Sequence, residues 1–181
     1  MARKTGRAAL SPAAIMQEIM GVWRARAIVA AIELKIFDHI AKGKRTVKEV
    51  AGAAGASPRG TANLLDALTA MGHLRKSGNR YNLTPASAAF LVSGKKPYVG
   101  DLAHGLSLSW DAWKHLTESV RSGRPTEAVN VARKGKEFFP KLVGSIFPGN
   151  YAASGMVVSR LPQKERGKIH KILDVAAGSG A

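Results

Sequence analysis

The order of helix starts and stops between residues 46 and 85 constrains the fold of this chain more than any other feature. A short helix over 47–54 is followed by a second over 58–71, and then by a β-hairpin over 74–83 with its turn at 77–79. The residues that bound the two helices are of the types that start and stop helices, namely Thr46, Gly55, Ser57, Pro58 and Gly72. Helix, turn, helix and hairpin in this order predict a winged helix-turn-helix.

A long amphipathic helix is predicted before this unit. Ser11 and Pro12 supply an N-cap and a first-turn proline, and apolar residues then follow at helical spacing. The apolar stripe comprises Ile15, Ile19, Val22, Trp23, Ile28, Ile32, Ile36 and Ile40. Gly43 ends the predicted helix. The basic residues 1–10 are predicted to form a disordered tail.

After the hairpin the sequence predicts further helices. Thr84 and Pro85 open a short helix, and an apolar three-four repeat predicts a long helix over 98–122. Prolines in 126–148 predict turns at Phe138-Phe139-Pro140 and Phe147-Pro148, around one short helix. A last helix is predicted over 150–161, followed by a charged linker over 163–168.

Composition excludes several classes of function. The chain has no cysteine, so disulfides and thiolate chemistry are excluded, and its five histidines show no metal-ligand spacing. No apolar run reaches the roughly 20 residues that span a bilayer, so we expect a cytoplasmic protein. The net charge of +16 is spread in small clusters along all 181 residues, which favours a solvated surface over a nucleic-acid-binding arm.

The segment 169–175 is predicted to be a β-strand that runs into a turn of small residues. The candidate cofactor-binding residues are Asp174, Ala176, Gly178, Ser179 and Gly180. Small side chains allow the backbone to approach a nucleotide-like ligand at the carboxyl end of a strand. The spacing does not fit the Gly-x-Gly-x-x-Gly dinucleotide pattern.

This turn resembles motif I of class I S-adenosylmethionine-dependent methyltransferases, in which an acidic residue precedes glycines by two, four and six positions. Asp174, Gly178 and Gly180 match the motif, and Ala176 stands where the first glycine is usual. The organisation of residues 11–181 resembles the O-methyltransferases that carry an N-terminal winged-helix dimerisation domain. The segments that carry the likeness are AAIELKIFD at 30–38, TVKEVA at 46–51, SPRG at 57–60, LLDAL at 64–68 and YNLTP at 81–85.

The resemblance implies a mainly α fold with a small β-hairpin. It assigns 11–94 to a winged-helix dimerisation domain, 95–168 to a helical substrate-side and linker region, and 169–181 to the start of an incomplete Rossmann-like domain. It also implies S-adenosylmethionine as cofactor, a small-molecule hydroxyl as acceptor and a homodimer. The apolar stripes of 11–42 and of the winged helix exceed what one small unit can bury, which also favours a dimer. We expect the strand at 169–175, without parallel neighbours, to be frayed or abnormally paired.

In that family the long middle helices help to wall the acceptor pocket, which makes seven side chains substrate-side candidates. They are His104, Trp110, Trp113, Phe147, Asn150, Tyr151 and Met156. Core packing is the alternative role for the large apolar members, and an N-cap role is the alternative for Asn150. The family's usual histidine base follows motif I, so we expect no catalytic residue in this chain and no turnover by the chain alone.

Two other functions remain open from the residues. A winged helix with a high positive charge is also typical of DNA-binding regulators. The residues that could contact DNA are Arg59, Thr61, Asn63 and Asp66 on the second helix and Arg75, Lys76 and Arg80 on the wing. One arginine beside an aspartate makes a poor phosphate-binding helix, and nucleic acid is therefore not the expected partner. A non-catalytic dimerisation protein is the third interpretation.

Overall fold

The structure is a computed structural model that describes residues 11–96, 98–126, 132–160, 162–163 and 167–168, without the side chains of 104, 132–135, 137, 147–149 and 151–152. The predicted tail at 1–10 and the predicted strand and turn at 169–181 lie outside these residues. The described part is mainly helical and contains one hairpin. Its elements are α1 (Ala13–Glu33), α2 (Ile36–Ala41), α3 (Val47–Ala54), α4 (Pro58–Ala70), β1 (Leu74–Ser77), β2 (Arg80–Leu83), α5 (Pro85–Phe90), α6 (Asp101–Lys114), α7 (Leu116–Ser122) and α8 (Ala132–Arg160).

The winged helix-turn-helix order is confirmed, and its helices begin at the predicted caps. Thr46 and Glu49 form a capping box, in which Glu49 Oε2 accepts hydrogen bonds from the backbone N–H groups of Thr46 at 2.9 Å and Arg45 at 3.0 Å. These bonds, with a weaker contribution from the Arg80 charge, lower the pKa of Glu49 to about 2. Ser57 Oγ accepts from Gly60 N at 3.1 Å at the start of α4. Local sequence therefore fixes where both helices begin.

The turn of the hairpin is one residue shorter than the sequence predicted. Ser77 pairs with Arg80 across an antiparallel ladder, so the turn consists of the two residues 78 and 79. Gly78 has a φ of 56°, a conformation that is strained for other residues and is suited to two-residue hairpin turns. On the other edge of β2, Tyr81 N donates to the carbonyl oxygen of Arg45 at 2.7 Å, which attaches the loop before α3 to the wing.

The hydrophobic core lies where the end of α1, α2, α3, α4 and the hairpin meet. Tyr81 and Phe37 are the largest fully buried side chains, at 1% and 0% exposure. The core cluster consists of Ala31, Ile36, Phe37, Ile40, Val50, Leu65, Leu68, Leu74, Tyr81, Leu91 and Val92. Every element of the winged helix contributes to it, so this unit is held together by a single apolar cluster.

The predicted single helix from Ser11 to Gly43 is wrong, because the chain breaks between α1 and α2. Lys35 adopts the left-handed conformation with a φ of 52° and starts α2 in a new direction. The turn places Ile36 and Phe37 in the core at 0% exposure. The four-residue repeat of isoleucines thus marks buried or half-buried positions correctly, but the positions belong to two helices.

Replacing Lys35 by glycine is expected to stabilise the protein. A left-handed conformation costs a non-glycine residue about 1 kcal/mol, and part of the gain is offset by the greater freedom of glycine in the unfolded chain. We expect a net increase of about 0.5 kcal/mol in the free energy of unfolding, measured by chemical denaturation. The matched control is Lys42→Gly, where φ is an ordinary −82°. A gain at Lys42 equal to that at Lys35 would contradict the explanation.

The helices after the winged unit also differ from the sequence prediction. The helix expected over 98–122 begins at Asp101 and is interrupted at His115, which separates α6 from α7 and is exposed. The turns expected at Pro140 and Pro148 are absent, since α8 continues from Ala132 to Arg160 as one helix. A proline removes one backbone hydrogen bond and crowds the preceding turn, but α8 packs along α6, for example where Ser145 meets Gly105, and this packing stabilises the continuous helix. Tertiary packing overrides a local signal here.

Candidate functional site

The first half of α1 exposes a broad apolar stripe to solvent. Ile15, Ile19 and Trp23 are 63%, 71% and 68% exposed and recur on one side of the helix. Met16, Met20 and Val22 widen the same stripe. In the second half of the helix, Val29 and Ala31 are buried in the core. Helix α1 is therefore anchored at one end and presents an unpaired apolar surface at the other, which is typical of an interface.

The anchored end of α1 also holds α6. The Arg26 guanidinium lies 5.2 Å from the centre of the Trp110 ring, a cation–π contact. Ser107 Oγ donates to Glu33 Oε1 at 2.8 Å. These contacts fix two positions of α6, about one turn apart, against the helix that carries the exposed stripe.

Helices α6 and α8 approach each other closely at Gly105. A methyl group on Gly105 would overlap Ser145 Oγ and would lie 2.9 Å from Ser145 Cβ. Ser145 is 3% exposed, and its hydroxyl donates to the carbonyl oxygen of Leu142 at 2.7 Å. Glycine is thus required at 105 for the two helices to pack at this distance.

Beside this contact, α6 and α8 enclose an open groove of about 580 Å³. Its lining residues are Asp101, Ser107, Leu108, Lys141, Gly144 and Ser145. The volume lies within the range of small-molecule sites. The sequence did not indicate Lys141 or Ser145 as site residues, because the region around them was predicted to be broken by prolines.

The predicted substrate-side residues all belong to α6 or α8, the two helices of the groove, but none is among its described lining residues. Trp110 is half-buried against Arg26, whereas Trp113 and Met156 are 60% and 62% exposed. Asn150 is exposed in the interior of α8, so the alternative N-cap role is wrong. The backbones of His104, Phe147 and Tyr151 lie in these helices, and their side chains are outside the described part of the structure. Their contact with a substrate stays a prediction.

The predicted cofactor-binding residues Asp174, Ala176, Gly178, Ser179 and Gly180 fall outside the described residues. Within the described ranges, no group of three or more histidine, aspartate or glutamate side chains is placed to hold a metal ion. In the same ranges, no helix is both long and apolar enough to cross a membrane.

The side chains that could contact DNA are partly used inside the winged helix. Thr61 is 3% exposed and faces the interior, so it is not available to read bases. Asp66 Oδ1 accepts from Lys76 Nζ at 2.7 Å and from the Tyr81 hydroxyl at 2.8 Å. The hydrogen bond from Lys76, followed by that from Tyr81, lowers the pKa of Asp66, and the same bond to Asp66 raises the pKa of Lys76 to about 12. These contacts attach the wing to α4.

Thr61 also leads to a stability prediction. Its hydroxyl is buried without a hydrogen-bond partner among the described residues. A buried unsatisfied hydroxyl costs roughly 1–3 kcal/mol, and valine has nearly the same shape. We expect Thr61→Val to raise the free energy of unfolding by about 1 kcal/mol in chemical denaturation. The control is Thr69→Val on the same helix, where the hydroxyl donates to Leu65 O at 2.8 Å and no gain is expected. A gain of the same size in both variants would show that the missing partner is not the cause.

Comparison with known proteins identifies the winged unit. Residues 16–93 match the family model of the O-methyltransferase dimerisation domain. Over 168 residues the chain is 30% identical to 3-hydroxy-5-methyl-1-naphthoate 3-O-methyltransferase of Streptomyces sahachiroi, covering 89% of this chain and 47% of that protein. Residues 16–93 therefore correspond to an O-methyltransferase dimerisation domain, and the chain as a whole is similar to O-methyltransferases.

Solved structures show the same architecture. An O-methyltransferase family protein from Burkholderia thailandensis superimposes with a TM-score of 0.68 at 25% identity, over 85% of this chain and 46% of that one. PigF, solved with SAH, superimposes with a TM-score of 0.58 at 30% identity, over 62% of this chain and 38% of that one. This chain thus spans less than half of the length of each of these three relatives. The predicted mainly α fold with a small β-hairpin and the predicted resemblance to O-methyltransferases are confirmed, and no observation on the described residues favours the DNA-binding alternative.

Proposed function

We propose that this chain is the dimer-forming and acceptor-binding part of an S-adenosylmethionine-dependent O-methyltransferase that methylates a hydroxyl group of a small molecule. The observation that carries the proposal is the match of 16–93 to the dimerisation domain, combined with the exposed stripe on α1 within that match. Catalysis of this kind depends on holding the acceptor oxygen in line with the transferable methyl group. This chain would contribute to catalysis by positioning the acceptor and by shaping the groove that binds it.

The homodimer is the first element of the proposal. The stripe on α1 contains several large apolar side chains that are more than half exposed, and the helix that carries it is fixed to the core at its other end. Two copies of such a helix related by a two-fold axis would cover each other's stripes. The same helix holds α6, so the dimer surface and the α6–α8 groove belong to one connected framework.

The acceptor side is the second element. The groove between α6 and α8 has an apolar wall at Leu108 and several polar groups around it, which suits a small molecule with a ring and a hydroxyl. The Streptomyces sahachiroi relative is named for a 3-hydroxynaphthoate, which has both features. The seven predicted substrate-side residues belong to the same two helices as this groove.

The cofactor is the third element, and it rests on sequence and on the relatives. Asp174, Ala176, Gly178, Ser179 and Gly180 are the residues we assign to S-adenosylmethionine, and PigF was solved with SAH. Among the described residues we assign no catalytic acid or base. The reaction's chemistry would come from the cofactor's sulfonium methyl group, and this chain's turn of small residues would let its backbone approach the cofactor.

The experiment is a domain exchange. Residues 11–168 would replace the corresponding part of PigF, and transfer of labelled methyl from S-adenosylmethionine would be measured against a panel of hydroxylated aromatic acceptors. The proposal expects a dimeric chimera that methylates at least one hydroxyl and whose acceptor preference differs from that of PigF. A folded, dimeric chimera without methyl transfer to any member of the panel would count against it. PigF itself, prepared in parallel, is the positive control.

A further inference from the structure

The groove between α6 and α8 has a single cationic side chain among its described lining residues. Lys141 lies on α8 between the two ends of that helix, and within the described ranges it forms no ion pair. The one carboxylate of this lining is Asp101, in the first turn of α6, where the backbone N–H groups and the helix dipole favour a negative charge. The charge of Asp101 is therefore compensated by its own helix, whereas Lys141 has no corresponding partner in the described part of the chain.

The hydroxyl groups of the groove are already committed as donors. Ser107 Oγ donates its proton to Glu33 Oε1, and Ser145 Oγ donates its proton to the carbonyl oxygen of Leu142. A hydroxyl has one proton to donate, so toward the groove Ser107 can only accept a hydrogen bond. Ser145 is further restricted, since its oxygen is pressed against Gly105. Among the described side chains of the groove, Ser107 and Asp101 can therefore accept a hydrogen bond from a ligand, and Lys141 is the charged donor.

This arrangement specifies a complementary ligand. A ligand hydroxyl finds acceptors at Ser107 and Asp101, and an anionic group of the ligand finds its donor at Lys141. Leu108 supplies an apolar wall, and Gly144 has open space where a side chain would project. A flat aromatic ring suits this groove, because the two faces of the ring require no hydrogen bonds.

We propose that the acceptor is a hydroxylated aromatic acid, which places its ring between α6 and α8 and binds its carboxylate through Lys141. The inference rests on the proposed function, because it assumes that the groove receives the acceptor. It adds that the acceptor is an anion and that Lys141 determines this specificity. Lys141 is a binding residue and takes no part in the transfer of the methyl group.

The test is a binding comparison on the full 181-residue chain, without cofactor. The probes are 6-hydroxy-2-naphthoate and 6-hydroxy-2-naphthamide, which differ in charge and share one ring system, titrated at pH 7 by calorimetry. A charge-assisted hydrogen bond favours the carboxylate by about tenfold or more in Kd. We expect that preference in the native chain, its loss in Lys141→Met and its retention in Lys141→Arg.

A matched control lies on the same helix. Lys136 is exposed on α8 and is not a lining residue of the groove, so Lys136→Met should leave the tenfold preference unchanged. Thermal unfolding of the variants would confirm that each is folded. Equal affinity for both probes, no binding of either probe at millimolar concentration, or tighter binding of the analogous 6-hydroxy-2-naphthylmethylamine would each overturn the inference.

The two proposals fail separately. The binding comparison measures neither dimerisation nor methyl transfer. If it shows no preference for the charged probe but the PigF chimera transfers methyl groups to neutral phenols, the O-methyltransferase proposal stands and only the inference about Lys141 fails. Conversely, a chimera that methylates no acceptor of any charge counts against the proposed function, even if the isolated chain prefers the naphthoate.

Discussion

Replacing Ile19 by glutamate is expected to convert the proposed dimer to a monomer. Ile19 is 71% exposed near the middle of the stripe on α1, and an interface with two-fold symmetry contains each position twice. Loss of a buried isoleucine removes roughly 1.5–3 kcal/mol per copy, and the unpaired carboxylate must also be desolvated. We therefore expect the dimer Kd to rise by roughly a hundredfold or more.

Sedimentation equilibrium of the native chain and of Ile19→Glu at micromolar concentration measures this directly. Gln17→Glu introduces the same charge on the same helix, on the side opposite to Ile19, and should leave the dimer intact. Circular dichroism would show that both variants keep their helices. A dimer of unchanged Kd in Ile19→Glu would show that the stripe on α1 is not the interface.

The second large effect is expected at Gly105, where alanine should destabilise the protein. An alanine Cβ would lie 2.9 Å from Ser145 Cβ and would force α6 and α8 apart. Overpacking of this kind costs about 1–3 kcal/mol, and the higher helix propensity of alanine returns about 1 kcal/mol at most. We expect a net loss of about 1–2 kcal/mol in the free energy of unfolding.

Gly144 provides the control for this prediction. Gly144 also lies inside a helix, but a methyl group there would meet no atom within 4 Å. Gly144→Ala is therefore expected to stabilise the protein by about 0.5–1 kcal/mol through helix propensity alone. Chemical denaturation of both variants, and of Gly105→Ala combined with Ser145→Gly, would separate the two effects. If Gly105→Ala behaves like Gly144→Ala, the helices are not in close contact at that point.

The winged helix was predictable because its signals are local and agree with one another. The cap at Thr46 and its box with Glu49 act within four residues, and the same is true of Ser57 with Gly60. The hairpin likewise turns within the predicted segment 77–79, at Gly78 and Asn79. Tertiary contacts strengthen these choices and do not have to reverse them.

The prediction failed where a long-range contact decides the local structure. The isoleucine repeat gave no sign of the break at Lys35, which exists because Ile36 and Phe37 must enter a core built from residues far along the chain. In α8 the opposite occurs, since Pro140 signals a turn and packing against α6 keeps the helix continuous. The local sequence pattern does not show which distant residues will pack against a helix, and these contacts decide the structure at both places.

The groove shows the same limit for functional residues. The sequence pointed to the aromatic side chains of α6, such as Trp110, but the structure places Trp110 against Arg26 of α1. Lys141 and Ser107 became candidates because of contacts that only the structure shows. Within the described residues Lys141 forms no ion pair, and Ser107 donates its proton to Glu33. Such relationships exist only after the helices have met.

Helix α1 has a mechanical role that follows from its two ends. One uninterrupted rod carries the exposed stripe at Ile19 and the contacts of Arg26 and Glu33 with α6. A rod of 21 residues transmits a displacement along its length with little loss, because its backbone hydrogen bonds resist bending. In the proposed homodimer, pairing of the two stripes would therefore influence the tilt of α6 in each subunit, and the width of the groove would depend on both subunits.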